Sequence, residues 1–211
     1  MISITPVIPA YNEEKTVAGV VQVVRQAGFT RVLVVSDGST DQTASVARAA
    51  GAQVLELTPN RGKGGAVRAG AELAQTTHLL LLDADLLRLK PEHLVAMLEP
   101  VQLGRADTTA GLFSGGGIAT DFGNRAAPFW SGQRVIPTAT ILAAKHLATA
   151  GYGVEMAINE QIALERLRLE YVDLHGVSQV MKEQKMGIVG GFLRRIKMYW
   201  QILRYITLRR N

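Results

Sequence analysis

The chain has 211 residues, of which 47% are hydrophobic and 19% charged, the balance of a packed domain and not of a disordered one. It has no cysteine, which excludes a disulfide scaffold, a thiol nucleophile and a Cys-ligated metal. The net charge of +5 is uneven: residues 1–180 carry 15 basic and 17 acidic side chains (net −2), and residues 181–211 carry 8 and 1 (net +7), so the basic character belongs to the tail and argues against a nucleic-acid-binding domain.

Taken in chain order, short apolar runs alternate with helical patterns. Ile2–Ile8 is a first expected strand, and Glu13–Ala27 a helix with Val17, Val20, Val21 and Val24 on one face. Arg31–Val35 is a second strand, Asp41–Ala50 a second helix, Gln53–Leu57 a third strand and Lys63–Ala74 a third helix. His78–Leu82 is a fourth strand, apolar at nearly every position, as suits a strand covered on both faces. Pro91–Leu98 is a helix with proline in its first turn. Beyond residue 104 the pattern loosens. Asp107–Leu112 is an expected strand and Phe113–Trp130, rich in glycine, a loop over the site. Ala139–Thr149 and Val154–Leu167 are expected helices, and Arg168–Leu174 a last strand. Met1–Pro6 does not have the pattern of a secretory signal, and no apolar run approaches 18 residues. The expected location is the cytoplasm.

Strand–helix alternation at this spacing means βαβ units and a mostly parallel α/β sheet flanked by helices. Right-handed crossovers bring all the strand C-terminal ends to one edge, where ligands of such sheets bind. Each of the first four strands is followed by a polar cluster: Tyr11-Asn12-Glu13, Asp37-Gly38-Ser39-Thr40-Asp41, Asn60-Arg61-Gly62-Lys63-Gly64-Gly65 and Asp83-Ala84-Asp85. The clusters should therefore converge in space.

The residue types suggest their chemistry. If the fourth strand persists through them, Asp83 and Asp85 point to one face. Two adjacent carboxylates repel unless a cation joins them. Mg²⁺ or Mn²⁺ on such oxygens could clamp a diphosphate leaving group. The structural alternative is that Asp85 caps the next helix. Asp37 could accept an N–H from a uracil or guanine edge, or simply belong to a helix-capping turn. Tyr11 could stack on a base or be an ordinary half-buried tyrosine. Lys63, with Arg61, could meet phosphate at a helix start or sit in a solvated basic loop. The P-loop spacing and the G-x-G-x-x-G fingerprint are both missing.

Together, Val7-Ile8-Pro9-Ala10-Tyr11-Asn12-Glu13-Glu14, Val35-Ser36-Asp37-Gly38-Ser39-Thr40-Asp41, Asn60-Arg61-Gly62-Lys63-Gly64-Gly65-Ala66 and Asp83-Ala84-Asp85 closely resemble the signatures of family 2 glycosyltransferases, which have the GT-A fold. The Asn-Arg-Gly-Lys-Gly loop is most similar to that of the dolichyl- and polyprenyl-phosphate sugar transferase branch. The resemblance covers about the first hundred residues. It implies a nucleoside pocket lined by Pro9, Ala10, Tyr11, Glu13 and Asp37, with Lys63 near the diphosphate and Asp83-Ala84-Asp85 holding donor and metal. It also implies inverting transfer of a UDP- or GDP-linked sugar with Mg²⁺ or Mn²⁺, and a donor half of about 1–104 followed by an acceptor half of about 105–180. The Q-x-x-R-W motif of processive synthases is absent, so one sugar is expected to be transferred.

Transfer to a hydroxyl needs a base. Glu155, after Gly151-Tyr152-Gly153, is the candidate, against a helix-start glutamate favoured by the dipole. A lipid phosphate acceptor would need none. His175 is a candidate third metal ligand or a structural histidine. Arg134, in Ser131-Gly132-Gln133-Arg134, could bind an anionic acceptor or donor phosphate, or form a surface salt bridge. From Ile188 to Ile206 apolar residues recur at helical spacing with Arg and Lys mostly off the stripe. Such a tail suits peripheral contact with an anionic membrane and a lipid acceptor, or packing on the domain or in a homodimer. A nucleotidyltransferase is a competing reading, but Pro9-Ala10-Tyr11-Asn12 stands where its Gly-rich loop would be. A non-catalytic nucleotide-sugar-binding relative would be marked by loss of the aspartate pair, which is intact.

Overall fold

The computed structural model describes residues 2–115, 131–147 and 153–180. The first half alternates as expected: β1 (Ile4–Ala10), α1 (Val17–Gln26), β2 (Leu33–Asp37), α2 (Thr43–Ala49), β3 (Gln53–Leu57), α3 (Gly62–Ala74), β4 (His78–Leu81), the two-residue β5 (Leu86–Leu87) and α4 (Pro91–Gln102). The second half holds β6 (Thr108–Ser114), β7 (Arg134–Pro137), α5 (Thr138–Ala143), α6 (Val154–Leu164), β8 (Leu169–His175) and β9 (Ser178–Gln179). The basic tail and most of the glycine-rich 113–130 stretch lie outside the described residues, as does the end of the helix expected over Ala139–Thr149.

Seven strands form one sheet in the order β3-β2-β1-β4-β7-β6-β8, and β5 pairs with β9 in a separate ribbon. Pairs β1–β2, β2–β3, β1–β4 and β6–β8 are parallel. Strand β7 runs against both neighbours, β4 and β6. Its start therefore lies at the edge where the parallel strands end. No periodic signal marked this four-residue strand.

Alternation along the strands divides the core into two layers. Ile8, Val34 and Leu80 face α1, α2 and α4, whereas Val7, Leu33, Val35, Leu79 and Leu81 face α3, α5 and α6. Val17, Val20, Val21 and Val24 of α1 are all buried, each contributing roughly 1.5–3 kcal/mol by removal from water. Gly70 lets α3 lie directly on the sheet, because a Cβ there would stand 2.4 Å from Val7 Cγ1. Among the described residues no helix is long and apolar enough to cross a membrane.

Two boundaries differ from expectation for a physical reason. Helix α1 begins at Val17, not Glu13, because residues 12–16 form a turn tied to the next loop. Strand β4 stops at Leu81, so Asp83 and Asp85 stand in a turn and their directions are not set by strand alternation.

Candidate active site

The strand-end loops meet because their own polar groups bind one another. Asn12 adopts φ +55°; its Oδ1 accepts the Thr40 N–H at 2.8 Å and its N–H donates to Ser39 Oγ at 3.1 Å. The Glu13 N–H donates to Thr43 Oγ1 at 2.7 Å and the Glu14 N–H to Asp41 Oδ2 at 3.2 Å. Asp41 in turn accepts from the Thr43 N–H at 2.9 Å. These bonds fix the loops after β1 and β2 together and leave Tyr11 43% exposed at their rim.

Asp37 ends β2 and is 3% exposed. Its Oδ1 accepts the Arg61 N–H at 2.7 Å, and its backbone carbonyl accepts from Asn60 Nδ2 at 2.6 Å. Burial pushes its carboxyl above the usual carboxylate range, only partly offset by the N–H groups of Arg61 and Gly62 and by the Arg61 charge. Gly38, at φ +69°, allows the close approach of the third loop: a Cβ there would meet Asn60 N at 3.0 Å.

Lys63, in the first turn of α3, is the hub. Its Nζ lies 2.7 Å from Asp83 Oδ1 and 2.8 Å from Glu155 Oε1. Glu155 stands in the first turn of α6, where the helix dipole favours an anion. The ammonium thus ties α3 to a glutamate 92 positions further along the chain. Burial opposes charge on both Lys63 and Asp83. The two carboxylates more than offset it at Lys63, whose pKa is raised. Lys63, Gln133 and Gln179 more than offset it at Asp83, whose carboxyl is held below the usual range. Pro9, Lys63, Asp83, Gly132, Val154 and Glu155 line the cleft.

The structure thus brings together Pro9, Lys63, Asp83 and Glu155, with Asp37 and Tyr11 on the adjoining strand ends; Ala10 and Ala84 are buried beside them. Asp85 follows in the same turn, and its carbonyl accepts the Val180 N–H at 3.2 Å. Two expected residues lie elsewhere. Arg134 is fully buried in β7, with Nε donating to the Ser131 carbonyl at 2.8 Å, and so does not stand at the surface. It feels the Glu155 charge from there, while burial holds its pKa below the usual arginine range. His175 is exposed at the end of β8, its Nδ1 3.3 Å from Ser114 Oγ. Among the described residues no three His, Cys, Asp or Glu side chains are grouped to hold an ion, so His175 does not complete a preformed set with Asp83 and Asp85. An ion here would take carboxylate oxygen from the aspartate turn and fill its shell with water and donor phosphate, a donor set that Mg²⁺ and Mn²⁺ accept.

Three site residues escaped sequence reasoning. Gln133 and Gln179 bind Asp83, and Gly132 lies against both Lys63 and Asp83, where a Cβ would stand 2.8 Å from Lys63 Nζ and 3.0 Å from Asp83 Oδ2. Gln133 and Gly132 lie in Ser131-Gly132-Gln133-Arg134, where only Arg134 carries an evident chemistry; nothing local marks Gln179.

A three-layer α/β sheet with acidic and basic loops at its C-terminal edge is the GT-A architecture. The structure of glucosyl-3-phosphoglycerate synthase from Mycobacterium tuberculosis, crystallised with Mn²⁺, UDP-glucose and phosphoglyceric acid, matches it with a TM-score of 0.70 over 92% of this chain and 79% of that one, at 21% identity. The sequence model of glycosyl transferase family 2 matches residues 5–167, and the chain belongs to that family. Over 101 residues it is 44% identical to dolichyl-phosphate beta-glucosyltransferase of Drosophila melanogaster, covering 40% of this chain and 31% of that one. Over 78 residues it is 45% identical to glycosyltransferase AglJ of Haloferax volcanii, covering 36% and 25%. The matches therefore span about a quarter to a third of these relatives' length.

Proposed function

We propose that this protein transfers a single sugar from a UDP- or GDP-linked donor to an acceptor, with inversion and with a divalent metal. The observation that carries this reading is the Lys63 ammonium held between Asp83 and Glu155 where four strand-end loops converge. Leaving-group chemistry at a diphosphate calls for positive charge placed beside an acidic turn, and these residues fit it. Bound Mg²⁺ or Mn²⁺ would supply Lewis-acid stabilisation of the departing diphosphate. Asp85 and Asp83 are the carboxylates to hold it, and His175 would have to leave Ser114 to join them.

The other roles follow from position. Asp37 accepts an N–H from the base edge, Tyr11 covers the base face, and Pro9, Ala10, Glu13 and Ala84 shape the pocket. Lys63 orients the diphosphate. Glu155 takes the proton from an acceptor hydroxyl; a phosphate acceptor is already an anion and needs no base. A phosphate-bearing acceptor, soluble or lipid-linked, is supported by the relatives, one named for dolichyl phosphate and one crystallised with phosphoglyceric acid. The basic segment 188–208, with apolar residues at helical spacing, favours a lipid-linked acceptor met at an anionic membrane surface.

A donor screen that measures UDP or GDP release with Mn²⁺ and Mg²⁺, with and without polyprenyl phosphate, tests the reading. Asp85→Ala is expected to lose turnover and Mn²⁺-dependent donor binding; undiminished binding would count against the metal role. Removal of residues 188–211 is expected to weaken flotation with anionic liposomes, and equal flotation would end the membrane reading.

A further inference from the structure

We infer that Gln179 and Gln133 are positioning residues that hold the Asp83 carboxylate in place for the metal-bound donor, an inference resting on the function just proposed. Asp83 accepts hydrogen bonds from three elements. Lys63 reaches Oδ1 at 2.7 Å. Gln179 Nε2 reaches Oδ2 at 2.6 Å and Gln133 Nε2 reaches the same oxygen at 3.1 Å. Gln133 also accepts the Asp83 backbone N–H through Oε1 at 3.2 Å. One amide therefore fixes both the backbone and the side chain of this aspartate.

The fold places the two glutamines there by different routes. The reversed direction of β7 puts the residue before Arg134 beside the turn after β4. Gln179 arrives on β9, which folds back after Gly176 to pair antiparallel with β5, in the register Leu86↔Gln179 and Leu87↔Ser178. The next residue, Val180, donates its N–H to the Asp85 carbonyl at 3.2 Å. Residues 178–180 thus brace the acidic turn at both aspartates, by side chain at Asp83 and by backbone at Asp85.

The chemistry of the clamp is specific. Amides are neutral donors, so they orient a carboxylate without cancelling its charge. Lys63 is shared with Glu155, and a donor diphosphate would compete for its ammonium. A carboxylate held by Lys63 alone would follow the ammonium; one held by two amides stays. Supports of this kind around metal-binding groups are worth about 10–100-fold in metal affinity.

Gln179 is the residue to test, because it is exposed and its replacement leaves the core untouched. Mn²⁺ binding in the presence of UDP or GDP, read from the free Mn²⁺ electron paramagnetic resonance signal, is compared for wild type, Gln179→Leu, Gln179→Asn and Gln179→Glu, alongside donor KM and kcat. Gln179→Leu is expected to weaken Mn²⁺–nucleotide binding about 10-fold and to raise donor KM more than it lowers kcat. Gln179→Asn, one methylene short, is expected to resemble the leucine variant. Gln179→Glu is expected to be worst, since it sets a carboxylate against Asp83 at unchanged side-chain length. A role in packing alone reverses that order, the isosteric glutamate being mildest. Wild-type binding in the leucine variant, or glutamate equal to or tighter than wild type, overturns the inference while leaving the proposed function standing. A wild-type protein that binds neither nucleotide with Mn²⁺ overturns both.

Discussion

Asp37 at the end of β2 and Asp83 just beyond β4 occupy equivalent places in two βα units, and both carboxylates are withdrawn from water: Asp37 is 3% exposed and the Asp83 side chain 17%. The difference that sets their charge is a side-chain cation in contact. Apart from the more distant Arg61 charge, Asp37 is satisfied by backbone N–H groups, and burial prevails, so its proton is held more tightly than in a free aspartate. Asp83 has an ammonium at 2.7 Å, and its proton is held less tightly. Position on the fold is therefore not what assigns a carboxylate its role; the neighbour is. A carboxylate facing neutral donors suits recognition of a neutral base edge, whereas one kept ionised by lysine suits a site that must gather and release charge.

The largest test of that contrast is Lys63→Met, which removes the cation from Asp83 and Glu155 together. Turnover is expected to fall at least about 100-fold, the scale of losing one electrostatic stabiliser. Stability is expected to drop about 2 kcal/mol, less than the roughly 3–5 kcal/mol of a fully buried broken pair because the Lys63 side chain is 34% exposed. The sign in pH follows from the lowered Asp83 pKa. Its contribution is complete above the ordinary Asp value of about 3.9 and is lost as pH falls through its lower folded value. In Lys63→Met that acid loss should shrink or reverse, because burial without the ammonium raises the folded pKa of Asp83, and denaturant titrations across pH would register the change.

Asp37→Asn should behave in the opposite sense. A raised folded pKa means that ionised Asp37 costs stability: the cost grows as pH rises from about 3.9 and is complete above the folded value. The asparagine variant is expected to be at least as stable as wild type at pH 7, with a flatter stability profile over that window, while donor KM rises about 10-fold through loss of a charged acceptor. A variant less stable at pH 7 would break the comparison. The smallest effect is expected from Gly132→Ala, whose Cβ would press on Lys63 Nζ at 2.8 Å. Because a lysine terminus can yield, donor KM should rise only about 3-fold and stability should change by less than about 1 kcal/mol.

Much of this arrangement was legible in one dimension. The four parallel strands, the valine face of α1 and the polar clusters after each strand follow from local periodicity and from the rule that places ligands at strand C-terminal ends. Other features were hidden. Arg134 reads as an anion-binding or surface salt-bridging cation, but β7 carries it into the middle of the sheet, where it is fully buried. The expectation that strand alternation aligns Asp83 with Asp85 gives way to a turn, because β4 ends at Leu81.

The sequence by itself determined the first four strands, their helices and the chemical character of their loops, since hydrophobic period, glycine and carboxylate placement act over about ten residues or fewer. Only the tertiary structure decided which groups meet at Asp83. Its partners Gln133 and Gln179 are 50 and 96 residues away. Bonds across such separations depend on strand order and on the reversed direction of β7, which no local pattern encodes.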